Sequence, residues 1–191
     1  KNFISLHAIT PLKRTSDDWL KALIRTGLVA AGNNITLFAI IEKKQALDTL
    51  LTEGTNLESP ISLALLQTIT SSSLYHSEKM IWIDAHTQLK AYNMVWQKNS
   101  VDAWLVQEVK MQEPWLKDAL FFTKKCDALL ITIDQQSRTF SLVFDGKLTT
   151  HLSAHNAYAA CKQYLGYSFN SLPGDSHGLF TKNVSQEHRA S

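Results

Sequence analysis

The sequence predicts an α/β (α+β) fold, a single domain in which a mixed β-sheet with two hairpins is flanked by about five helices. Three observations support this class. Segments with helical spacing of apolar residues alternate along the chain with short apolar runs of strand length. Two pairs of these runs enclose turn-type residues, as hairpins do. The composition, 45% hydrophobic and 19% charged, is that of an ordinary globular protein.

The length of 191 residues suffices for one domain with a sizeable core. We expect an N-terminal extension over residues 1–15, the domain over residues 16–166 and a loose C-terminal tail over residues 167–191. The sequence begins at Lys1 with neither an initiator methionine nor a secretory segment, as a domain cut from a longer protein would.

The first half of the chain is expected to hold three helices and one strand. Residues 16–18 (SDD) precede an apolar pattern of helical spacing that ends at Gly32, which predicts a capped helix. The run ITLFAII at residues 35–41 predicts a buried strand. EKKQALDTLLTEG predicts a second helix that Gly54 stops, and Ser59-Pro60 predicts the cap and first residue of a third.

The second half is expected to hold two hairpins, each followed by a helix. The predicted segments are a hairpin of MIWID and QLKAYNMVW, an irregular piece at 97–113, a helix after Pro114, a hairpin of DALLITID and TFSLVF, and a helix that ends at Gly166. The order along the chain is therefore α-β-α-α-ββ-α-ββ-α.

Charge, cysteine content and the absence of certain motifs argue against several kinds of partner and site. The net charge of +2 is too small to indicate binding to nucleic acid or to an anionic membrane. We expect Cys126 and Cys161 to be buried free thiols of a cytoplasmic protein rather than a disulfide. No apolar run has the length of a membrane span, and CxxC and HExxH are absent. We therefore expect no membrane span and no structural zinc or zincin site, and we assign no metal ligands.

A polar turn at residues 76–79 (HSEK) enters the predicted strand MIWID. His76 or Glu78 could bind a metal ion or act as a base there. The same residues also suit a solvated turn, and from the residues alone that is the better interpretation.

Three further features allow a ligand but do not require one. Gly54 and Thr55 lie between two predicted helices, where backbone N–H groups could bind an anion, although a helix-ending glycine and a linker explain them better. Lys117 could reach a phosphate as a point charge. Trp96 and Trp115 could stack on a base, although tryptophan is more often a core residue.

Three segments taken in order resemble the diadenylate cyclase domain of the DisA N-terminal type. They are EGTNLESPISLALLQTI, SSSLYHSEKMIWID and PWLKDALFFTKKCDALLITIDQQSRTFSLVFDGKL, which together span about half of the chain, residues 53–148. The part CDALLITIDQQSRTFSLVFDGKL matches in register through both strands. The resemblance implies the cyclase fold and, for active members, the conversion of two ATP into cyclic di-AMP with Mg²⁺ or Mn²⁺.

The strand-entry motif of the family, DGA, is not retained. Its aspartate, which the resemblance implies would hold metal and activate a hydroxyl, falls on Ser77, and its glycine and alanine fall on Glu78 and Lys79. A serine neither accepts a proton nor coordinates a divalent cation comparably. Of this segment His76 keeps the family's residue.

The arginine-histidine-arginine motif of the family is also lost. Its positions fall on Trp115, Leu116 and Lys117, so that one point charge remains without a bidentate fork. The string EHRAS at residues 187–191 looks like this motif, but it follows the second hairpin instead of preceding it, and we interpret it as coincidence.

The resemblance therefore implies a catalytically degenerate domain, without catalytic residues or a certain cofactor, that serves as a sensor for a nucleotide or a cyclic dinucleotide. The nucleotide-binding candidates are Gly54, Thr55, His76, Ser77, Glu78, Val95, Trp96 and Lys117. One alternative is a divergent active cyclase in which Glu78 replaces the lost carboxylate and Mg²⁺ or Mn²⁺ is needed. Another is a structural module without a ligand. Family enzymes place two domains face to face, so a homo-oligomer is a further expectation.

Overall fold

The computed structural model describes residues 17–97 and 113–167, and the structural statements that follow concern those residues. The helices are α1 (Asp18–Gly32), α2 (Leu63–Ser71), α3 (Pro114–Lys125) and α4 (Ala154–Leu165). The strands are β1 (Phe38–Ile41), β2 (Leu51–Thr52), β3 (Thr55–Pro60), β4 (Met80–Ile83), β5 (Gln88–Trp96), β6 (Leu129–Ile133), β7 (Phe140–Phe144) and β8 (Lys147–Leu152). The expected N-terminal extension, nearly all of the irregular piece and the EHRAS string lie outside the described residues.

The strands form one mixed sheet, as the sequence predicts. Their order is β2-β5-β4-β1-β6-β7-β8, and β3 pairs with β5 beside β2. The pair β1–β4 is parallel, with Phe38 opposite Met80, whereas the other neighbouring pairs are antiparallel. The described residues contain four helices rather than about five.

Helices cover both faces of the sheet, so its central strands are buried on both sides and consist of continuous apolar runs. On β1, Ala39 and Ile41 belong to the core beneath α1, α2 and α4. Phe38 and Ile40 point the other way and share a core with α3. The strand period of two thus assigns alternate residues of β1, β4 and β6 to opposite layers.

Local patterns predicted most elements correctly. Helices α1, α3 and α4 lie where their apolar periodicity indicates, and both hairpins are present, but among the described residues no side-chain cap is formed at the start of α1. Strand β8 is an addition that the sequence pattern did not reveal. Asp145 and Gly146 both have positive φ, as a type I′ turn requires, and this turn folds β8 back onto β7.

The predicted helix over EKKQALDTLLTEG is wrong, because long-range hydrogen bonds fix this segment as a series of turns that ends in β2. The buried carboxylate of Glu42 accepts hydrogen bonds from the Leu47 N–H and the Trp82 Nε1–H, both at 3.0 Å. The Asp127 carboxylate accepts from the N–H groups of Lys44 and Gln45 at 3.3 and 3.0 Å. These bonds hold the chain against the α3 face.

The start of the third predicted helix is also corrected. Ser59 and Pro60 belong to β3, where they pair with Leu89 and Gln88 of β5. The cap is Ser62, whose Oγ accepts a hydrogen bond from the Leu65 N–H at 3.2 Å.

The first helix is tied to the last one through Asp17. Its carboxylate accepts hydrogen bonds from the Tyr158 hydroxyl and from Lys162 Nζ, the latter at 2.9 Å. These bonds lower the pKa of Asp17 to about 2.

Cys126 and Cys161 are buried free thiols, as expected. Of the described helices, none is long and apolar enough to span a membrane.

Glu42 should contribute far more to stability than its exposed neighbour Asp48. The change Glu42→Ala leaves two buried N–H groups unpaired, and we expect it to lower the free energy of unfolding by about 2–4 kcal/mol. Asp48→Ala breaks only an exposed ion pair with Lys90 and should cost less than about 1 kcal/mol. Urea denaturation of both variants measures the difference; equal losses would contradict the role of Glu42.

Candidate functional site

A row of neighbouring residues crosses the sheet on the α3 face. Strand register places Met94 opposite Met80, Met80 beside Phe38, Phe38 opposite Thr132, and Thr132 opposite Ser141. The row is apolar toward β5 and carries hydroxyl groups toward β7. Helix α3 covers this face further along the strands, so the row remains partly open at the start of the helix.

The main cleft lies over the hydroxyl half of this row and has a volume of about 650 Å³. That volume falls within the roughly 300–1,000 Å³ typical of small-molecule sites. The lining residues come from the strand ends, the polar turn and the start of α3. They are Thr36, Phe38, Ser77, Glu78, Glu113, Trp115, Leu116, Thr132, Ile133, Asp134, Gln135, Gln136, Ser141, Leu148 and Thr150.

A smaller cleft of about 170 Å³ adjoins it over the apolar half of the row. Phe38, Glu78 and Trp115 line both clefts. The rings of Phe38 and Trp115 lie 5.1 Å apart at 56° and form the boundary between them. Trp96 closes the far side, where it stacks on Phe122 at 4.5 Å.

Thr132 offers a buried hydroxyl at the floor of the main cleft. The residue is only 6% exposed, and its strand is paired on both sides by β1 and β7. Within residues 17–97 and 113–167, no hydrogen-bond partner for the Thr132 side chain is present. Buried polar groups are normally hydrogen-bonded, so this hydroxyl is suited to bond a ligand.

The turn that brings Ser77 and Glu78 to the cleft is held by the side chain of Asn93. Asn93 Oδ1 accepts a hydrogen bond from the His76 N–H at 2.9 Å, and its Nδ2 donates to the Leu74 carbonyl at 2.7 Å. Asn93 is buried in β5 and has φ of +60°. A non-glycine residue adopts such a backbone in a strand when the surrounding contacts enforce it.

Asn93 belongs to a bulge of β5, and the backbone of Gly54 packs against this bulge. Tyr92 and Asn93 of β5 face a single residue of β4 between the two registered pairs. Gly54 has φ of +85°, and a Cβ at this position would lie 2.7 Å from the Tyr92 carbonyl oxygen and 2.3 Å from Met94 Sδ. Gly54 therefore lies in the connection between β2 and β3, next to the bulge. The predicted turn between two helices at this position is wrong.

The cleft is acidic. Glu78, Glu113 and Asp134 line it, and none of the described lining residues is a lysine or an arginine. The backbone N–H and the hydroxyl of Ser137 donate to Asp134 Oδ1 at 2.6 and 2.7 Å, and they hold the pKa of this carboxyl below its ordinary value. Lys79, next to Glu78, instead donates to Glu53 at 2.7 Å.

The structure brings together some of the residues that the sequence singled out. Those in the main cleft are Ser77 and Glu78, and those in the smaller cleft are Glu78, Val95 and Trp96. The candidates that line neither cleft are Gly54, Thr55, His76 and Lys117. His76 Nδ1 nevertheless lies 3.9 Å from Glu78 Oε1. In the described part of the chain, no group of three His, Cys, Asp or Glu side chains is placed to hold a metal ion.

Sequence patterns did not indicate the residues at the floor of the cleft. Thr132 lies in the apolar run LLITI and Ser141 in FSLVF, each as a polar residue inside a strand. A hydroxyl within a buried strand is a signal that could have indicated them, but their neighbours become known only with the strand register.

No family model and no curated protein matches the chain. Among solved structures, it is similar to a doubly substituted DacA from Staphylococcus aureus at 16% identity and a TM-score of 0.62, over 78% of this chain and 96% of that one. The chain has a DacA-like fold. The DacA-like fold is the diadenylate-cyclase-like fold that the sequence resemblance implies.

A second solved structure shares the DacA-like fold. It is a hypothetical membrane spanning protein from Bacillus cereus, with 14% identity and a TM-score of 0.57, over 73% of this chain and 65% of that one. At these identities the two likenesses concern the fold alone.

The close approach at Gly54 predicts a large effect of a single methyl group. Gly54→Ala should lower the free energy of unfolding by about 2–4 kcal/mol, because alanine is strained at positive φ and its Cβ would meet the Tyr92 carbonyl. Gly32 is the matched control: it ends α1, and nothing lies within 4 Å of an added Cβ. Gly32→Ala should be neutral or slightly stabilising in the same thermal or urea unfolding experiment. Similar losses in both variants would show that the Gly54 contact does not matter.

Proposed function

We propose that the chain is a catalytically degenerate domain of the DacA-like fold that senses a nucleotide or a nucleotide-derived second messenger by binding it in the main cleft. The observation that carries the proposal is the open cleft of about 650 Å³ beside Ser77. A cleft of that size, which no tryptophan of residues 17–97 and 113–167 fills, gives a ligand of nucleoside size room to enter.

The chemistry of the walls suits a heteroaromatic ring. Trp115 and Phe38 present ring surfaces on which a base can stack. Hydroxyl groups of Thr132 and Ser141 lie below them and can exchange hydrogen bonds with a base edge or a ribose. Stacking and hydrogen bonds together supply affinity and orientation without any reaction.

Among the described residues, the same walls lack the groups that the resemblance implies for the cyclase reaction. Ser77 stands where the resemblance implies the aspartate of the DGA motif, and a serine hydroxyl at neutral pH is a poor base and a poor ligand for a divalent cation. Trp115 and Leu116 line the cleft at two positions where the resemblance implies the arginine-histidine-arginine motif. Binding without turnover is therefore the better supported function.

A divergent active cyclase is the second candidate, and one observation favours it. Glu78 lines both clefts and lies one residue beyond Ser77, where its carboxylate could replace the lost aspartate with Mg²⁺ or Mn²⁺ bound. A structural module without a ligand is the third candidate. The open cleft makes it the less favoured one, because a module of this kind does not need a cleft of ligand size.

Isothermal titration calorimetry against nucleosides, nucleotides and cyclic dinucleotides tests the proposal. We expect at least one compound to bind with a dissociation constant near micromolar, about −8 kcal/mol. Trp115→Ala should weaken that binding at least about tenfold through loss of stacking. Leu28→Ala, a truncation of a partly exposed side chain on α1, is the control and should leave binding unchanged. Absence of binding across the panel would contradict the sensor function.

Incubation with ATP and either Mg²⁺ or Mn²⁺ separates the first two candidates. We expect no cyclic dinucleotide to form. Metal-dependent product that disappears in Glu78→Gln would instead identify an active cyclase.

A further inference from the structure

We infer that the main cleft takes a ligand that is neutral or cationic where it contacts the protein, namely an amine-bearing nucleoside or base rather than a nucleotide polyphosphate. This inference rests on the proposed function of the cleft as a ligand site. Among the nucleotide-derived ligands proposed for the cleft, it selects those that bring no phosphate group to the walls. It is carried by the charge of the walls and by the hydroxyl groups of the floor.

The charge of the walls opposes a phosphate. Glu78, Glu113 and Asp134 surround the cleft, and in the described part of its lining no lysine or arginine offsets them. Proteins that bind phosphate groups place cations or free backbone N–H groups at them. Three carboxylates around an anion would instead raise its energy in the partly enclosed cleft.

The start of α3 does not compensate for this charge. A helix N-terminus carries a partial positive charge that can attract an anion. Here Glu113 precedes the helix, and its carboxylate accepts a hydrogen bond from Trp115 Nε1. The helix end therefore already has a carboxylate beside it, and Lys79 is engaged by Glu53.

The floor and walls together match a nucleoside. The buried Thr132 hydroxyl has no partner among the described residues, and Ser141 and Thr150 add two more hydroxyls. Carboxylates accept hydrogen bonds from an exocyclic amine or from ribose hydroxyls. Trp115 supplies the stacking surface. A ligand with a flat ring, several donors and no phosphate satisfies each of these groups.

Calorimetry in EDTA-containing buffer at fixed ionic strength tests the inference. The probes are adenosine, guanosine and cytidine, each compared with its 5′-monophosphate and 5′-triphosphate. For the base that binds best, we expect the nucleoside to bind at least tenfold more tightly than the triphosphate. Glu78→Gln should narrow this gap because it removes one repelling charge.

Two threonines provide a matched pair of variants for the floor. Thr132→Val keeps the shape and removes the hydroxyl, and we expect it to weaken nucleoside binding about fivefold or more. Thr26→Val also removes a buried hydroxyl, but on α1, where Thr26 bonds the Ala22 carbonyl at 2.9 Å. It should leave nucleoside affinity unchanged, and circular dichroism checks that both variants are folded.

These measurements distinguish failure of the inferred ligand class from failure of the proposed sensor function. A triphosphate that binds as tightly as its nucleoside would overturn the inferred ligand class and leave the sensor function standing. If no nucleoside or nucleotide binds, the inferred class fails, and the sensor function fails with it when cyclic dinucleotides do not bind either. Equal losses in Thr132→Val and Thr26→Val would also overturn the role of the floor.

Discussion

The geometry of the site depends on one buried amide, that of Asn93. Its two hydrogen bonds hold the backbone of the turn on either side of Tyr75, so that Ser77 and Glu78 reach the cleft. The side chain can do this because a bulge of β5 gives Asn93 a positive φ and points it at the turn. Gly54 crosses that bulge where a Cβ would not fit. The position of the polar turn therefore depends on the bulge, and the bulge in turn packs against Gly54.

The second constraint is the division of the sheet into two faces. Because helices pack on both sides, each central strand alternates between two cores, and polar residues are tolerated only where no helix covers them. Thr132 and Ser141 occupy such a place at the start of α3. The same alternation that builds the core therefore produces the floor of the cleft, with an apolar half beneath Trp96 and a polar half beneath Trp115.

Local sequence patterns predicted the elements whose stability is local. Helices α1, α3 and α4 and the hairpins follow from the spacing of apolar residues, from Pro114 and Gly166 at helix ends and from turn residues. The segment after Glu42 could not be predicted in this way, because its conformation is fixed by Trp82 and Asp127, 40 and more residues away. Ser59 and Pro60 likewise have the sequence pattern of a helix start, but they form part of β3 because they pair with β5.

The candidate site was predicted in part for the same reason. Resemblance to a family identified Ser77 and Glu78, because both lie in one continuous motif. Thr132 and Ser141 became neighbours only through the register of β1, β6 and β7, which a single sequence does not contain. Gly54 was predicted to end a helix or to help bind an anion, whereas the structure places it between β2 and β3 in close contact with β5.

Methyl NMR of threonine-labelled protein tests most directly whether the row of hydroxyls is the floor of a ligand site. During a titration with the best-binding nucleoside, the methyl signals of Thr132 and Thr150 should shift and saturate together. The methyl signal of Thr26, a buried residue of α1, should not move. A saturable titration in which Thr132 stays unchanged would place the ligand elsewhere and contradict the account.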